Sequence, residues 1–394
     1  MTETRQVGKL VVSSLVLSRV AAQPHGLITA LLLIEIAQSF NIPIGVAGQL
    51  STAVFTVSII MGLAMSFLSI KYNYKSLMLA GLTFYTVSFI GNYLAPDFAT
   101  MLVTFSLIGI ATSMVNPMAS ALVGSLIPSD KRARVISWFF AGMALCVLFG
   151  SPYITYITEI WGWRANFLFF ALPFALISLV LIYLGIPNVK FSGNVSVVSG
   201  FREIFTNRSA VSCILCTILT EATWTITAVY GITYMRQITS LPLSLSWLIL
   251  VGTSTSFMVG SLSGGYLTGR LGRRRLAVYS SFLLGLLMLG YLNISAPLIS
   301  AVLLFTGCIV SSMRYTASES LTLEQVPLLR GSVMSLNSIA LNVGASLGTG
   351  LGGLLLINYG YGRLGALGLF SIVAAYVYQF MVMEPATIRE TISQ

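Results

Sequence analysis

The feature that most constrains this chain is a succession of apolar runs, each about 20 residues or longer, separated by short polar connections. A run of that length spans a hydrocarbon core of roughly 30 Å as an α-helix and is too long for a barrel strand. Only 8% of the 394 residues are charged, against 56% hydrophobic, and the mean hydropathy is +0.90. A soluble chain of this size needs more charge to cover its surface. The sequence therefore predicts an all-α integral membrane protein.

Twelve spans fit the pattern, near 10–38, 45–70, 75–94, 98–126, 134–158, 164–186, 209–234, 243–268, 275–294, 297–322, 332–358 and 361–384. The expected domains are a six-helix bundle over 1–186, a polar cytoplasmic linker over 187–208, and a second bundle over 209–394. Lys190, Arg202, Glu203 and Arg208 lie in that linker, with one interfacial helix expected at Gly200–Asn207. The first apolar stretch is too long for a signal-peptide core, so it is read as a retained span.

The formal charge of +10 does not point to nucleic acid, because the basic residues sit in the loops. Thirteen Lys and Arg follow even-numbered spans and three follow odd-numbered ones. The positive-inside rule then puts both termini in the cytoplasm. Only Arg19 and Arg314 stand inside spans. Cys146, Cys213, Cys216 and Cys308 all fall within spans as small packing residues, and no ligand cluster for a metal or motif for a cofactor is visible.

The two halves repeat. A shift of 198 residues lays Trp161-Gly162-Trp163 on Tyr359-Gly360-Tyr361, Gly150 on Gly348, and Arg132, Val135 and Ser137 on Arg330, Val333 and Ser335. A repeat of six spans in one orientation implies bundles related by an axis along the membrane normal, with a solute site near the midplane.

In the C-terminal half, Gly265-Tyr266-Leu267-Thr268-Gly269-Arg270-Leu271-Gly272-Arg273-Arg274 resembles the loop signature G-x-L-x-D-R-x-G-R-R of the major facilitator superfamily, with Gly269 in place of the Asp. The N-terminal counterpart, Ser66 to Lys75, keeps Leu68, Lys71 and Lys75. Gly142 and Gly150-Ser151-Pro152 are similar to that superfamily's antiporter motif in the fifth span. Trp161 to Phe167 looks like its W-R-x-x-F entry to the sixth. Glu35-Ile36-Ala37-Gln38-Ser39-Phe40 resembles the drug–proton antiporter-1 branch, which contains bacterial sugar efflux permeases. In that branch an acid commonly stands where this chain has His25, and an Arg where it has Phe105. The resemblance covers the whole chain and implies the twelve-helix fold with pseudo-twofold symmetry, residence in the cell (inner) membrane and no enzymatic activity.

Charges at bilayer depth cost about 2.5–3.5 kcal/mol on insertion scales, so each one calls for a reason. His25 and Glu221 sit near the middles of the first and seventh spans, and Glu221 maps by the shift to Gln23. They are the expected proton-coupling pair; a neutral packing hydrogen bond is the alternative. Pro24 cannot bond the carbonyl of Val20, so a kink and a freed acceptor are expected beside His25. Trp224, one turn beyond Glu221, and Asn116, the counterpart of Arg314, are expected with Gln23 and Arg314 in the solute cavity. Arg314 needs an anion, supplied by Glu221, Glu319 or the solute. Gly265, Arg270, Gly272, Arg273 and Arg274 with Glu319 and Glu324 form the expected cytoplasmic gate.

The functional expectation is secondary active transport by alternating access: proton-coupled export of a drug-like, sugar-like or metabolite compound by a monomer that needs only solute, protons and lipid, without cofactor, metal or nucleic acid. The alternatives are uptake of an organic anion by symport and a non-transporting sensor or assembly protein. The glycine run Gly344 to Gly353 is read as close helix packing rather than a nucleotide loop, since no strand precedes it.

Overall fold

The computed structural model describes residues 9–127, 129–189, 204–326 and 330–384. Helices account for nearly all of them: α1 (Lys9–Val20), α2 (Pro24–Ser39), the single turn α3 (Ile44–Ala47), α4 (Gln49–Lys71), α5 (Tyr74–Leu94), α6 (Phe98–Leu126), α7 (Ser129–Trp161) and α8 (Leu172–Gly185). There follow α9 (Arg208–Ile238), α10 (Leu243–Leu271), α11 (Arg273–Tyr291), α12 (Pro297–Glu324), α13 (Arg330–Tyr359), the short α14 (Tyr361–Leu364) and α15 (Gly368–Met381). Eleven stretches of the described residues are long and apolar enough to cross a bilayer. The remaining position in the order of twelve is α11, whose first turn is Arg273-Arg274-Arg275. Of the expected linker, 190–203 lies outside the described residues; 204–206 forms a helical turn.

The first span is two helices. Among its broken turns, the Gln23 N–H reaches the Val20 carbonyl at 2.9 Å. The acceptor that Pro24 was expected to leave free is thus taken by a tighter i→i+3 bond, as lipid-embedded backbone requires. α6 starts on Asp97, whose side chain accepts from the Thr100 N–H at 2.8 Å, an N-cap that holds its carboxyl below the usual carboxylate range. The sixth span opens with a wide π turn, Phe167–Ala171, ahead of α8.

Packing divides the chain into two compact units, Met1–Asn194 with Pro242–Val251, and Val195–Leu241 with Gly252–Gln394. In the first, α6 packs on both α4 and α5, and α8 on α1 and α5. The Ser58 hydroxyl donates to the Gly109 carbonyl at 3.1 Å and that of Ser113 to the Ser58 carbonyl at 3.0 Å, tying α4 to α6. In the second, α9 packs on α13 and α15, and α11 on α12 and α15.

The α9–α13 interface explains the glycine run. A Cβ at Gly344 would collide with the Ile218 carbonyl and stand 2.9 Å from the Glu221 Cβ; one at Gly348 would collide with the Ala222 carbonyl. These glycines let two helices meet backbone to backbone, as small-residue stripes do where lipid offers no hydrophobic drive for association. Gly348→Leu should therefore overpack this seam and cost about 1–3 kcal/mol, lowering the thermal unfolding midpoint of the purified protein. Gly265→Ala, whose Cβ would meet nothing within 4 Å, should leave the midpoint unchanged.

Candidate functional site

The site forms where α9 meets α12. α9 is rich in threonine, and its hydroxyls bond back to carbonyls four residues earlier, which satisfies them without water. Thr220 donates to the Cys216 carbonyl at 2.7 Å, leaving its oxygen free to accept. The donor is Arg314, whose Nη1 reaches Thr220 Oγ1 at 2.6 Å. One residue further on α9, Glu221 places Oε2 at 3.7 Å from Arg314 Nη2. The Arg314 side chain is 1% exposed and that of Glu221 16%. Thr217, a turn earlier, bonds to Asn337 Oδ1 of α13 at 2.9 Å.

The carboxylate–guanidinium separation exceeds the 2.7–3.2 Å of an N–H···O bond, so the groups attract without being locked. Glu221 Oε2 and Arg314 Nε and Nη2 have no hydrogen-bond partner among the described residues. At an effective dielectric of about 20, charges this far apart attract by about 4 kcal/mol. Withdrawing each ion from water costs several kcal/mol. The two effects are of similar size, so fold stability does not account for the pair. Its open valences suit a group that exchanges partners.

Trp224 lies on the same α9 face and its ring meets Phe257 of α10 at 6.0 Å. The expectation that Arg314 is answered by an acid holds for Glu221. It does not hold for Glu319, which is exposed and makes no ion pair among the described residues.

In the first unit, the His25 ring packs edge-on to Phe105 at 6.3 Å. Its Nδ1 and the Oδ1 of Asn116 are buried without a partner among the described residues. Gln23 is half-buried at the break between α1 and α2.

At the arginine-bearing end of the second unit, Gly272 takes φ +86°, a left-handed conformation that favours glycine, and opens α11. Arg273 Nη1 lies 2.6 Å from Glu324 Oε2, although its N–H is not aimed at the oxygen. The Arg273 backbone N–H donates to Glu384 Oε1 at 2.7 Å. Arg274 Nε donates to the Tyr378 carbonyl at 3.1 Å and its Nη2 to that of Gln379. Arg270 lies over the Tyr266 ring at 4.6 Å, and Gly265 is exposed with open space beside it. Sequence reasoning missed Glu384. It lies 111 residues beyond Arg273, and no local pattern in the sequence ties the two together.

The family model of the Major Facilitator Superfamily matches residues 20–327 and 213–392. The chain belongs to the major facilitator superfamily. It is thus a multi-pass membrane transporter, not an enzyme, with a small molecule as its substrate. Relatives of this superfamily include the inner membrane transport protein YdhP of Escherichia coli (strain K12), 25% identical over 376 residues and 92% of each chain. Another is the uncharacterized MFS-type transporter YtbD of Bacillus subtilis (strain 168), 24% identical over 357 residues and 87% of each. Among solved structures, a D-xylose–proton symporter superposes with a TM-score of 0.80 at 13% identity, over 95% of this chain and 98% of that one. The nucleoside transporter NupG gives 0.77 at 14%, over 95% and 100%. At these identities the structures establish the fold.

Because Arg314 is nearly enclosed, removing its charge strands Glu221. Arg314→Met should destabilise the protein by about 3–5 kcal/mol, and adding Glu221→Gln to it should recover part of that loss. Thermal unfolding of the two single variants and the double variant checks this; strictly additive effects would mean that the two groups do not interact.

Proposed function

We propose that this facilitator is a proton-coupled exporter of the drug–proton antiporter type, in which Glu221 carries the proton and Arg314 is its counter-charge. The observation that carries this reading is the enclosed Glu221–Arg314 pair, attracted across 3.7 Å yet not hydrogen-bonded. While Glu221 is ionised, the pair is neutral as a whole. A proton on Oε2 leaves Arg314 an unanswered cation, which favours a different arrangement of the surrounding helices. That differential free energy is what proton binding must have to shift a conformational equilibrium.

His25 is a second proton acceptor in this reading, and Gln23, Asn116 and Trp224 contact the solute. The Arg273–Glu324 pair and the Arg273 N–H bond to Glu384 hold one end of the second unit in one of its two states. Both termini face the cytoplasm of an inner membrane and the protein acts as a monomer; the basic loops and the name of the Escherichia coli relative support this placement. The structural likeness to a D-xylose–proton symporter supports proton coupling on this fold.

Uptake of an organic anion with a proton is the second reading, favoured by the unengaged Nε and Nη2 of Arg314. Everted vesicles acidified inside and reporting their pH by dye quenching separate the two. A solute that relieves quenching in the wild type identifies proton-exchanging export. With Glu221→Gln the relief should fall to the level of vesicles lacking the protein, and Glu221→Asp should retain part of it. Full relief by the Gln variant removes Glu221 from the mechanism. Solute-driven alkalinisation outside right-side-out vesicles would favour symport instead.

A further inference from the structure

The first unit holds an intramembrane cation that the proposed mechanism does not use. Arg19 stands ten residues into α1, roughly 15 Å along the helix. Its Nε is buried without a hydrogen-bond partner, and no ion pair or hydrogen bond engages its side chain among the described residues. Its guanidinium lies over the ring of Phe139 at 5.7 Å. The phenol of Tyr85 is within electrostatic reach of it and is itself hydrogen-bonded to Thr112 at 2.7 Å. One turn beyond Thr112 on α6 comes Asn116, with its unpartnered Oδ1.

The internal repeat gives independent support. The 198-residue shift that relates the halves lays Arg19 on Thr217 and Asn116 on Arg314. In the second unit Arg314 of α12 bonds to Thr220 of α9, and Thr217, one turn earlier on α9, bonds to Asn337 of α13. α1 and α6 likewise touch in the first unit. The shift thus places Arg19 on α1 where the second unit has a threonine one turn from Thr220, the partner of Arg314, and among the described residues Arg314 has a carboxylate in ion-pair range while Arg19 has none. Glu35, sixteen residues further on and roughly 24 Å along the chain's helical path, is too far to serve.

We propose that Arg19 binds an anionic group of the transported solute, a carboxylate or similar planar oxyanion. A guanidinium resting on an aromatic face keeps its in-plane N–H groups for a bidentate oxyanion. Phe139 supplies that face and also an apolar wall for the body of the solute. The Tyr85–Thr112 hydroxyl pair stands nearby as a further donor. This inference rests on the chain being a transporter and holds whether or not Glu221 carries the proton.

The test uses the full-length protein in phosphatidylcholine nanodiscs, which contain no anionic lipid. Thermal unfolding is followed against two matched pairs of probes, benzoate with benzamide and 1-naphthoate with 1-naphthamide. The wild type should be stabilised by the carboxylates at concentrations about tenfold below those needed for the amides, the ratio that one charge-assisted contact provides. Arg19→Gln should lose that preference and Arg19→Lys should keep part of it. Arg363→Gln, which removes an exposed arginine that also lies over an aromatic ring, Tyr359 at 5.8 Å, should retain it. No carboxylate preference in the wild type would overturn the proposal. So would a preference that survives Arg19→Gln or is lost equally in Arg363→Gln. If Arg19→Gln fails to fold, Phe139→Leu replaces it: a weakened carboxylate preference supports the site, and an unchanged one counts against it.

Discussion

In hydrocarbon, no water answers a charge, so each ionic group at depth dictates what must stand beside it. Arg314 is the clearest case. Its guanidinium is closed in by α9, where Thr220 accepts one N–H and Glu221 supplies the opposing charge. Much of the second unit follows from that requirement. Thr220 bonds to the Cys216 carbonyl of its own helix, so that it offers Arg314 an oxygen rather than a proton. Gly344 lets α13 approach to the level of the Glu221 Cβ, so a backbone-to-backbone helix contact and the central charge pair of the unit share one stretch of α9.

The two units use one sequence plan for different chemistry. Gly150 and Gly348 are equivalent by the repeat and both stand against close neighbours, Phe170 in one case and the Ala222 backbone in the other. The polar side chains at the shift-related positions differ. The second unit has Arg314 opposite Thr220 and Glu221, while the first has Asn116 on α6 and Arg19 on α1. A duplicated scaffold thus retains its packing glycines while its ionisable groups diverge, which is how one fold serves different solutes.

The fold was legible because apolar run length and the glycine spacing act locally and repeat. The Arg314–Glu221 contact was also within reach, since a buried cation needs an anion and few were on offer. Other features depended on details that no periodicity encodes. The Val20 carbonyl is taken by the Gln23 N–H because the chain tightens by one residue at the break. Glu319 is exposed with no ion pair among the described residues, whereas Glu324, five residues later, meets Arg273. That difference is a matter of helical phase at the end of α12. Glu384 caps α11 from the far end of the sequence, a contact that only the three-dimensional path of α15 creates.

The central claim is that Glu221 rests ionised against Arg314 and takes up a proton during turnover. Infrared difference spectroscopy of the protein in lipid, recorded on acidification, reads this directly through the carbonyl band of a protonated carboxylic acid. The account predicts a band that appears in the wild type and is missing in Glu221→Gln. A band already present before acidification, or one that the Gln variant retains, would contradict it.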